Sequence, residues 1–572
     1  MLTLYYGLVS ESRQALLTER MRSLLLSGER VLWFVPEQQV LEAESVMAAF
    51  DNARLGEVTS FGRMANTVFR RFGGLRYHTL GNGAKQLVMW RALNEVSPAL
   101  KEYGGITLDD MATVRLLFDT AEELKLYLVT PEALDTVAES LDAGKFQNKL
   151  RDISLVYATY LALLRELTDD DADDVLRAAA LAEGQGVFRG AHVFFSGFDG
   201  FTPAELSLLR VIFAEASELG VGLAYEKGDR RDFFAKLSDT DRRLRALANA
   251  CGLTVREVFC EDCDDSVYGI AYFRKNYGKR RPDPYEDGRN GEDRGIRQIA
   301  CPGVYEEARL IAADIKRRVI SGARYRDFAV IARDSDKYLG ILDAALEGAG
   351  IPYFISARRD VTAMSTSRML LSALDIHAHF WRREDVIAFM RSGLSPLTPE
   401  ECDVVEEYAE IWRIQGRRWF DSYGWQMNPF GFSAEYNEEA EERLRYLNGL
   451  REKLTAPLVK LFAVFEGKAT VKEISAALVY FLQEMRIADK VAARASLDQS
   501  FVTMRDSVED HLLLDDSLMK AFDELCEVVG DFEVSSHEYA QLFRALLAEA
   551  DMGALPSRMD EVTVGSASLY CI

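Results

Sequence analysis

Cysteine is scarce in this chain: seven among 572 residues, at positions 251, 260, 263, 301, 402, 526 and 571. So few, so scattered, cannot frame a disulfide scaffold. Cys260 and Cys263 form one CxxC inside CEDCDD, but no second pair or histidine follows at zinc-ligand spacing, so they read as free thiols. The six histidines are scattered; His377 and His379 stand two apart on a predicted helix and face apart. No apolar run reaches the roughly 18 residues of a bilayer span. The N-terminus lacks the basic, apolar and small-residue segments of an export signal. A cytoplasmic chain without membrane contact is expected. GxSxG, HExxH and a nuclease-like Asp…Glu-x-Lys block are also missing.

Acid is abundant: 91 Asp and Glu stand against 68 Lys and Arg, a formal net charge of −23. Nucleic-acid affinity depends largely on neutralising phosphates. Composition therefore tilts against a free-standing DNA binder unless local basic faces or a basic partner make the contact. The acidic run DDDADD (Asp169 to Asp174) precedes the helix VLRAAALA and reads as a capping segment, since consecutive carboxylates do not converge on a metal without a tight loop.

The first forty residues organise the rest. Leu2 to Tyr6 reads as a buried strand, Gly7 to Ser12 as a turn, Arg13 to Leu26 as a helix and Val31 to Val35 as a second buried strand. Strand signals then nearly vanish from about 81 to 185, where apolar residues recur at three-to-four spacing. They return in AHVFFSGFDGFTPAE and GVGLAY. Residues 276–295, rich in glycine and charge, read as a linker or surface loop whose KRR could touch phosphate. From 296, IRQIACPG, a helix, DFAVIAR, a second helix and IPYFI alternate as another parallel unit, followed by helical sequence from about 365 to 550 and a last strand in DEVTVGSA. The fold class is α/β: two parallel-sheet units, 1–275 and 296–567, each interrupted by a large helical insertion.

Strand, glycine, helix, strand is how a P-loop domain begins, yet GLVSESRQ is not GxxxxGK[ST]. Gly7 keeps the first position. Ser12 replaces the second glycine, Arg13 the lysine and Gln14 the Ser/Thr, with Ser10 inside the loop. A guanidinium fork does not replace a compact ammonium, a Cβ at Ser12 obstructs the close backbone approach, and Gln14 is a poor magnesium ligand. The acidic pair that should end a later strand is also missing: FFSGFDGF has Ser196 and Gly197 there, with Asp199 beyond. Both tests argue against ATP hydrolysis. Trp412, Trp419 and Trp425 could stack bases, though core packing is the ordinary role at this spacing.

The order of YYGLVSESRQ, VLWFVPEQQ, VTSFGRMANTVFRRFGGLRYH, FFSGFDGFTPAE, IACPGVYEEARLIAADIKRRVISGARYRDFAVIARDSDKY, MRSGLSPLTPEECDVVEEYAEIWRIQGRRW and MDEVTVGSA resembles the N-terminal part of the AddB/RexB family, the B subunits of ATP-dependent helicase/deoxyribonucleases. The resemblance implies two RecA-like domains of superfamily-1 helicase type. It also implies an AddA-type helicase/nuclease partner, single- and double-stranded DNA as ligands, and a role in double-strand-break processing and recombinational repair. Family members usually show an intact phosphate loop, from which this chain departs. On the same basis Arg333 corresponds to an arginine facing the nucleotide cleft, and Ser60, Phe61 and Arg63 to a loop touching single-stranded DNA. The family's nuclease domain, with its Mg2+ and [4Fe-4S] cluster, has no counterpart here, so no cofactor is expected in this chain. The likeness stops after Ala567, where residues 568–572, SLYCI, read as the end of a truncated or frameshifted frame. The expected role is an inactivated, helicase-like, DNA-binding scaffold. A divergent ATPase using Arg13 and Asp199, or a helical scaffold without nucleic acid, are the alternatives.

Overall fold

The computed structural model describes residues 1–8, 10–75, 79–106, 108–168, 174–229, 231–260, 268–284, 295–355, 361–498, 505–549 and 560–566. Six strands form the larger sheet: β1 (Leu2–Tyr6), β2 (Arg30–Phe34), β3 (Gly56–Thr59), β4 (Ala191–Phe195), β5 (Glu218–Leu223) and β6 (Val255–Phe259). All pair in parallel, in the order β3-β2-β4-β5-β1-β6. A parallel sheet is covered by crossover helices on both faces, so its strands are apolar almost throughout rather than alternating. LTLYY is buried at every position, and RVLWF at every position but the first. One face carries Leu2, Leu4, Phe34, Phe195 and Val221 with Phe61 and Leu208; the other carries Tyr5, Trp33 and Phe194 with Leu17 and Met47. This α/β architecture is consistent with a RecA-like fold.

An ion cluster closes the amino edge of that sheet. Glu218, opening β5, accepts two bonds from Arg20, at 3.0 and 2.6 Å, and lies 3.2 Å from Nδ1 of His192. Burial works to raise the Glu218 pKa, but the bonds from Arg20 and His192 outweigh it and hold the carboxyl below its usual range. A depressed folded-state pKa gives stability that is present above the unfolded value and lost as pH falls through the folded one. Arg20→Ala is therefore expected to cost roughly 1–2 kcal/mol near neutral pH, Arg20 being part-exposed. The deficit should shrink below about pH 4, as read from urea midpoints across pH.

The second sheet is built differently from the expected alternation. β7 (Ala329–Ala332) and β8 (Tyr353–Ile355) are joined through β11 (Val562–Ser566); two short strands, β9 (Ala469–Thr470) and β10 (Glu533–Val534), pair antiparallel in a separate sheet. β11 is the central strand, parallel to both neighbours, with Val564 opposite Val330 on one side and Ile355 on the other. The last strand expected in DEVTVGSA is thus an inner strand with a partner on each side. β11's valines, Val562 and Val564, join the buried cluster of Ala308, Ala312 and Leu346. Residues 296–300, IRQIA, form no strand.

The two helical stretches, far apart in sequence, share one hydrophobic core. Trp90 packs on Phe532 with ring centroids 5.5 Å apart, Gly81 N–H donates to Glu524 at 3.0 Å and Arg91 donates to the Val528 carbonyl at 3.3 Å. Trp412, Trp419 and Trp425 are buried there, with Tyr408 stacked on Trp425 at 4.6 Å. His377 and His379 do face apart, His377 meeting Ser536 and His379 meeting Asp385. Residues 169–173 and Cys263 lie outside the described residues.

Candidate functional site

In a parallel sheet the carboxyl ends of all strands open on one edge, the usual place for a ligand. Here that edge gathers Gly7 after β1, Ser60 after β3, Ser196 to Asp199 after β4, and Cys260 after β6. β5 stands between β1 and β4.

The loop after β1 is shorter than expected. The following helix starts at Ser10 rather than Arg13 and runs to Leu26, drawing Ser12, Arg13 and Gln14 into helical backbone. The side chain of Ser10 lies outside what the structure describes. Ser12 is buried and Gln14 half-buried. Arg13 is only 7% exposed. Its Nη1 turns back and donates to the Gly7 carbonyl at 2.6 Å. The guanidinium stem crosses Gly222 of β5 so closely that a Cβ there would lie 3.3 Å from Cδ of Arg13. From the other side Cys260 closes in: its N–H donates to Tyr6 at 2.7 Å, and its Cβ would sit 2.9 Å from a Cβ on Gly7. Burial lowers the Arg13 pKa, while Cys260 and Asp199 pull the other way; burial pushes the Cys260 thiol up, with Arg13 opposing.

A working phosphate loop aims its cation and its N–H groups outward at an anion. Here the cation is spent on the loop's own carbonyl. A cavity of about 330 Å3 does open beside it, lined by Tyr6, Gly7, Leu8, Glu226, Lys227, Phe259 and Cys260. The lysine in that lining is engaged as well: Lys227 Nζ lies 2.5 Å from Glu257.

At the end of β4 the Ser196 hydroxyl points inward and accepts from Trp33 Nε1 at 2.9 Å. Asp199 is half-buried, its carbonyl taking the Thr240 hydroxyl at 2.8 Å. The structure thus brings Arg13 and Asp199 within electrostatic reach, but not into a hydrogen bond among the described contacts. Arg333 follows β7 and is exposed; no described bond or ion pair joins it to the Gly7–Gln14 segment. No group of three or more His, Cys, Asp or Glu able to hold a metal occurs among the described residues.

Ser60, Phe61 and Arg63 come together as a helix start. Ser60 caps the helix Phe61–Phe72, its Oγ accepting from Arg63 N–H at 3.2 Å while donating to Glu37. Phe61 is buried among Phe34, Phe195, Phe198 and Phe201, at centroid distances of 5.3 to 6.3 Å. Arg63, half-exposed, reaches Glu37 at 2.9 Å and Glu44 at 3.0 Å. Burial works to raise the Glu37 pKa, and the bonds from Ser60 and Arg63 more than offset it.

Sequence reasoning missed a polar network directly beneath this edge. Asp241 accepts from Tyr6 and Tyr225 hydroxyls, each at 2.9 Å, and from Arg245 Nε at 2.8 Å; Arg245 also reaches Glu257 at 2.7 Å. Its signal in DTDRRLR was the i,i+4 spacing of Asp241 and Arg245.

Known proteins share sequence similarity with this chain. The family model described as "ADDB, N-terminal" matches residues 5–268, from the end of β1 to beyond β6. Over those residues the chain is similar to the AddB family. Curated relatives named as the B subunit of ATP-dependent helicase/deoxyribonuclease include that of Acetivibrio thermocellus, 26% identical over 98% of this chain and 50% of the relative. Those of Clostridium tetani (26%; 94% and 48%) and Moorella thermoacetica (28%; 99% and 51%) are similar. The chain spans about half the length of these AddB relatives. Among the described residues no helix is long and apolar enough to cross a membrane.

Proposed function

We propose that this chain is the helicase-like, DNA-binding scaffold in the AddB-type half of a helicase–nuclease. It works beside an AddA-type subunit in processing DNA double-strand breaks for recombinational repair, and it does not hydrolyse ATP itself. In this reading each parallel sheet is the centre of a RecA-like unit, and the shared helical core holds the two together. Nucleic acid runs past the carboxyl edge near Ser60 and Arg63, once Arg63 exchanges its carboxylates for phosphate.

The observation that carries the reading is Arg13. At the position of the phosphate-loop lysine stands a buried guanidinium bonded to its own loop, with an inward serine where the acidic pair should end β4. Among the described residues, that loop offers no uncommitted cation for the terminal phosphates and β4 ends on no carboxylate for magnesium. In a complex reconstituted with an AddA-type subunit, Arg13→Ala is expected to leave DNA-stimulated ATP turnover within about twofold. Collapse of turnover in that variant overturns the reading in favour of a divergent ATPase built on Arg13 and Asp199.

A further inference from the structure

In an acidic chain, one short segment is concentrated cation: Arg274 to Arg281, RKNYGKRR, holds five Lys and Arg among eight residues. It begins on the helix Tyr268–Asn276 and continues into the turn after it. Composition suggests a solvated tether here; the described part, to residue 284, is instead built into the fold. Asn276 is buried, donating to the Tyr272 carbonyl at 3.1 Å and accepting from Asp283 N–H at 2.8 Å. Arg231, clamped by Asp229, donates to the carbonyls of Arg274 and Tyr277 at 3.3 and 2.8 Å. Gly278, at φ +75°, seats the turn on Phe233, where any Cβ would strike the ring at 2.5 Å.

This bracing holds three aromatic rings at the surface. Tyr277 packs between Phe273 and Phe233, with centroids 5.0 and 5.7 Å away. The three rings are 58%, 52% and 47% exposed. Rings left this open in a fixed stack cost free energy in water unless something covers them. The cations beside them are largely uncommitted. Asp283 approaches Lys279 at 3.4 Å and Lys275 at 4.0 Å, whereas among the described residues no carboxylate pairs with Arg280 or Arg281, both exposed.

Flat apolar faces flanked by unpaired cations match a polyanion that carries its own flat faces. Each unpaired base can stack on a ring while its phosphate meets an arginine or lysine. A duplex hides its base faces and leaves the rings uncovered. We propose that Phe233, Phe273 and Tyr277, with the cationic turn Lys279–Arg281, form a binding platform for single-stranded nucleic acid. The inference rests on the DNA-binding reading above and locates a contact apart from Ser60, Phe61 and Arg63.

The test uses the full chain and a fluorescent thirty-nucleotide oligo(dT), with anisotropy measured across a salt series. Lys279→Gln/Arg280→Gln/Arg281→Gln is expected to weaken binding at least tenfold at low salt and to flatten the log–log salt slope by about 2, each phosphate contact contributing about 0.7. Tyr277→Ala, which keeps the backbone carbonyl that Arg231 uses, is expected to weaken binding about five- to a hundredfold with the slope unchanged. Circular dichroism and melting temperature should match the parent for both, since the altered groups are at the surface. Parental binding that neither variant weakens overturns the platform and leaves the DNA-binding reading standing. No binding by the parent at low salt removes both. Competition by poly-glutamate as effective as unlabelled oligo(dT) also overturns the platform, marking the patch as a docking surface for an acidic protein.

Discussion

Asp241→Ala is expected to destabilise the large-sheet unit by about 3–5 kcal/mol, the largest effect of any single truncation near the site. The carboxylate is buried and satisfies three donors at once, the hydroxyls of Tyr6 and Tyr225 and the Nε of Arg245. Burial, followed by the bond to Asp241, raises both tyrosine pKa values far enough that neither hydroxyl ionises under ordinary conditions. Removing the acceptor takes it from the two buried tyrosine hydroxyls, and it leaves Glu257 as the carboxylate paired with Arg245. The melting temperature should fall roughly 10 °C. Tyr6→Phe and Tyr225→Phe remove one donor each and should cost only about 1 kcal/mol apiece. Equal losses in all three variants would show that ring packing dominates over the carboxylate. Because Tyr6 precedes Gly7, Asp241→Ala should also loosen the loop that Arg13 closes.

Asp152→Ala should be the second large loss, about 3 kcal/mol, in the helical body rather than the sheet. Asp152 lies buried on the long helix Lys145–Thr168 and accepts three consecutive backbone N–H groups: Lys101 at 3.0 Å, Glu102 at 2.7 Å and Tyr103 at 3.1 Å. Three adjacent donors converging on one carboxylate make an anion nest already filled by the protein. Without it that loop has no internal partner for those groups, and amide exchange at 101–103 should speed up well before global unfolding. Asp152→Asn keeps an acceptor but loses the charge and should fall between the parent and alanine. Unchanged exchange at 101–103 in the alanine variant would sink this account of the loop.

The large sheet was legible in the sequence because a buried parallel strand must be apolar on both faces. LTLYY, VLWF and HVFF leave no other role for such short runs, and their strands fall within one residue of expectation. Less legible was the chain between Gly7 and Arg13. Spacing suggested a turn from Gly7 to Ser12, but the helix begins at Ser10 and takes up the second half of it. Nor could spacing say that Arg13 folds back onto Gly7, since that direction is set by Gly222 on a strand more than two hundred residues away. Phe61 shows the same limit: its position opening a helix is local, whereas its burial depends on Phe195, Phe198 and Phe201. The joining of the two helical stretches into one core, and the central place of β11, are long-range pairings that periodicity does not encode.

The central claim is that the glycine–helix start kept the architecture of a nucleotide site and lost its chemistry. Equilibrium binding of Mg·ATP to the full chain, followed by titration calorimetry, tests it most directly. The account predicts no saturable heat up to about 1 mM nucleotide, with or without magnesium. Saturable, magnesium-dependent binding in the micromolar range that disappears in Arg13→Ala would contradict it.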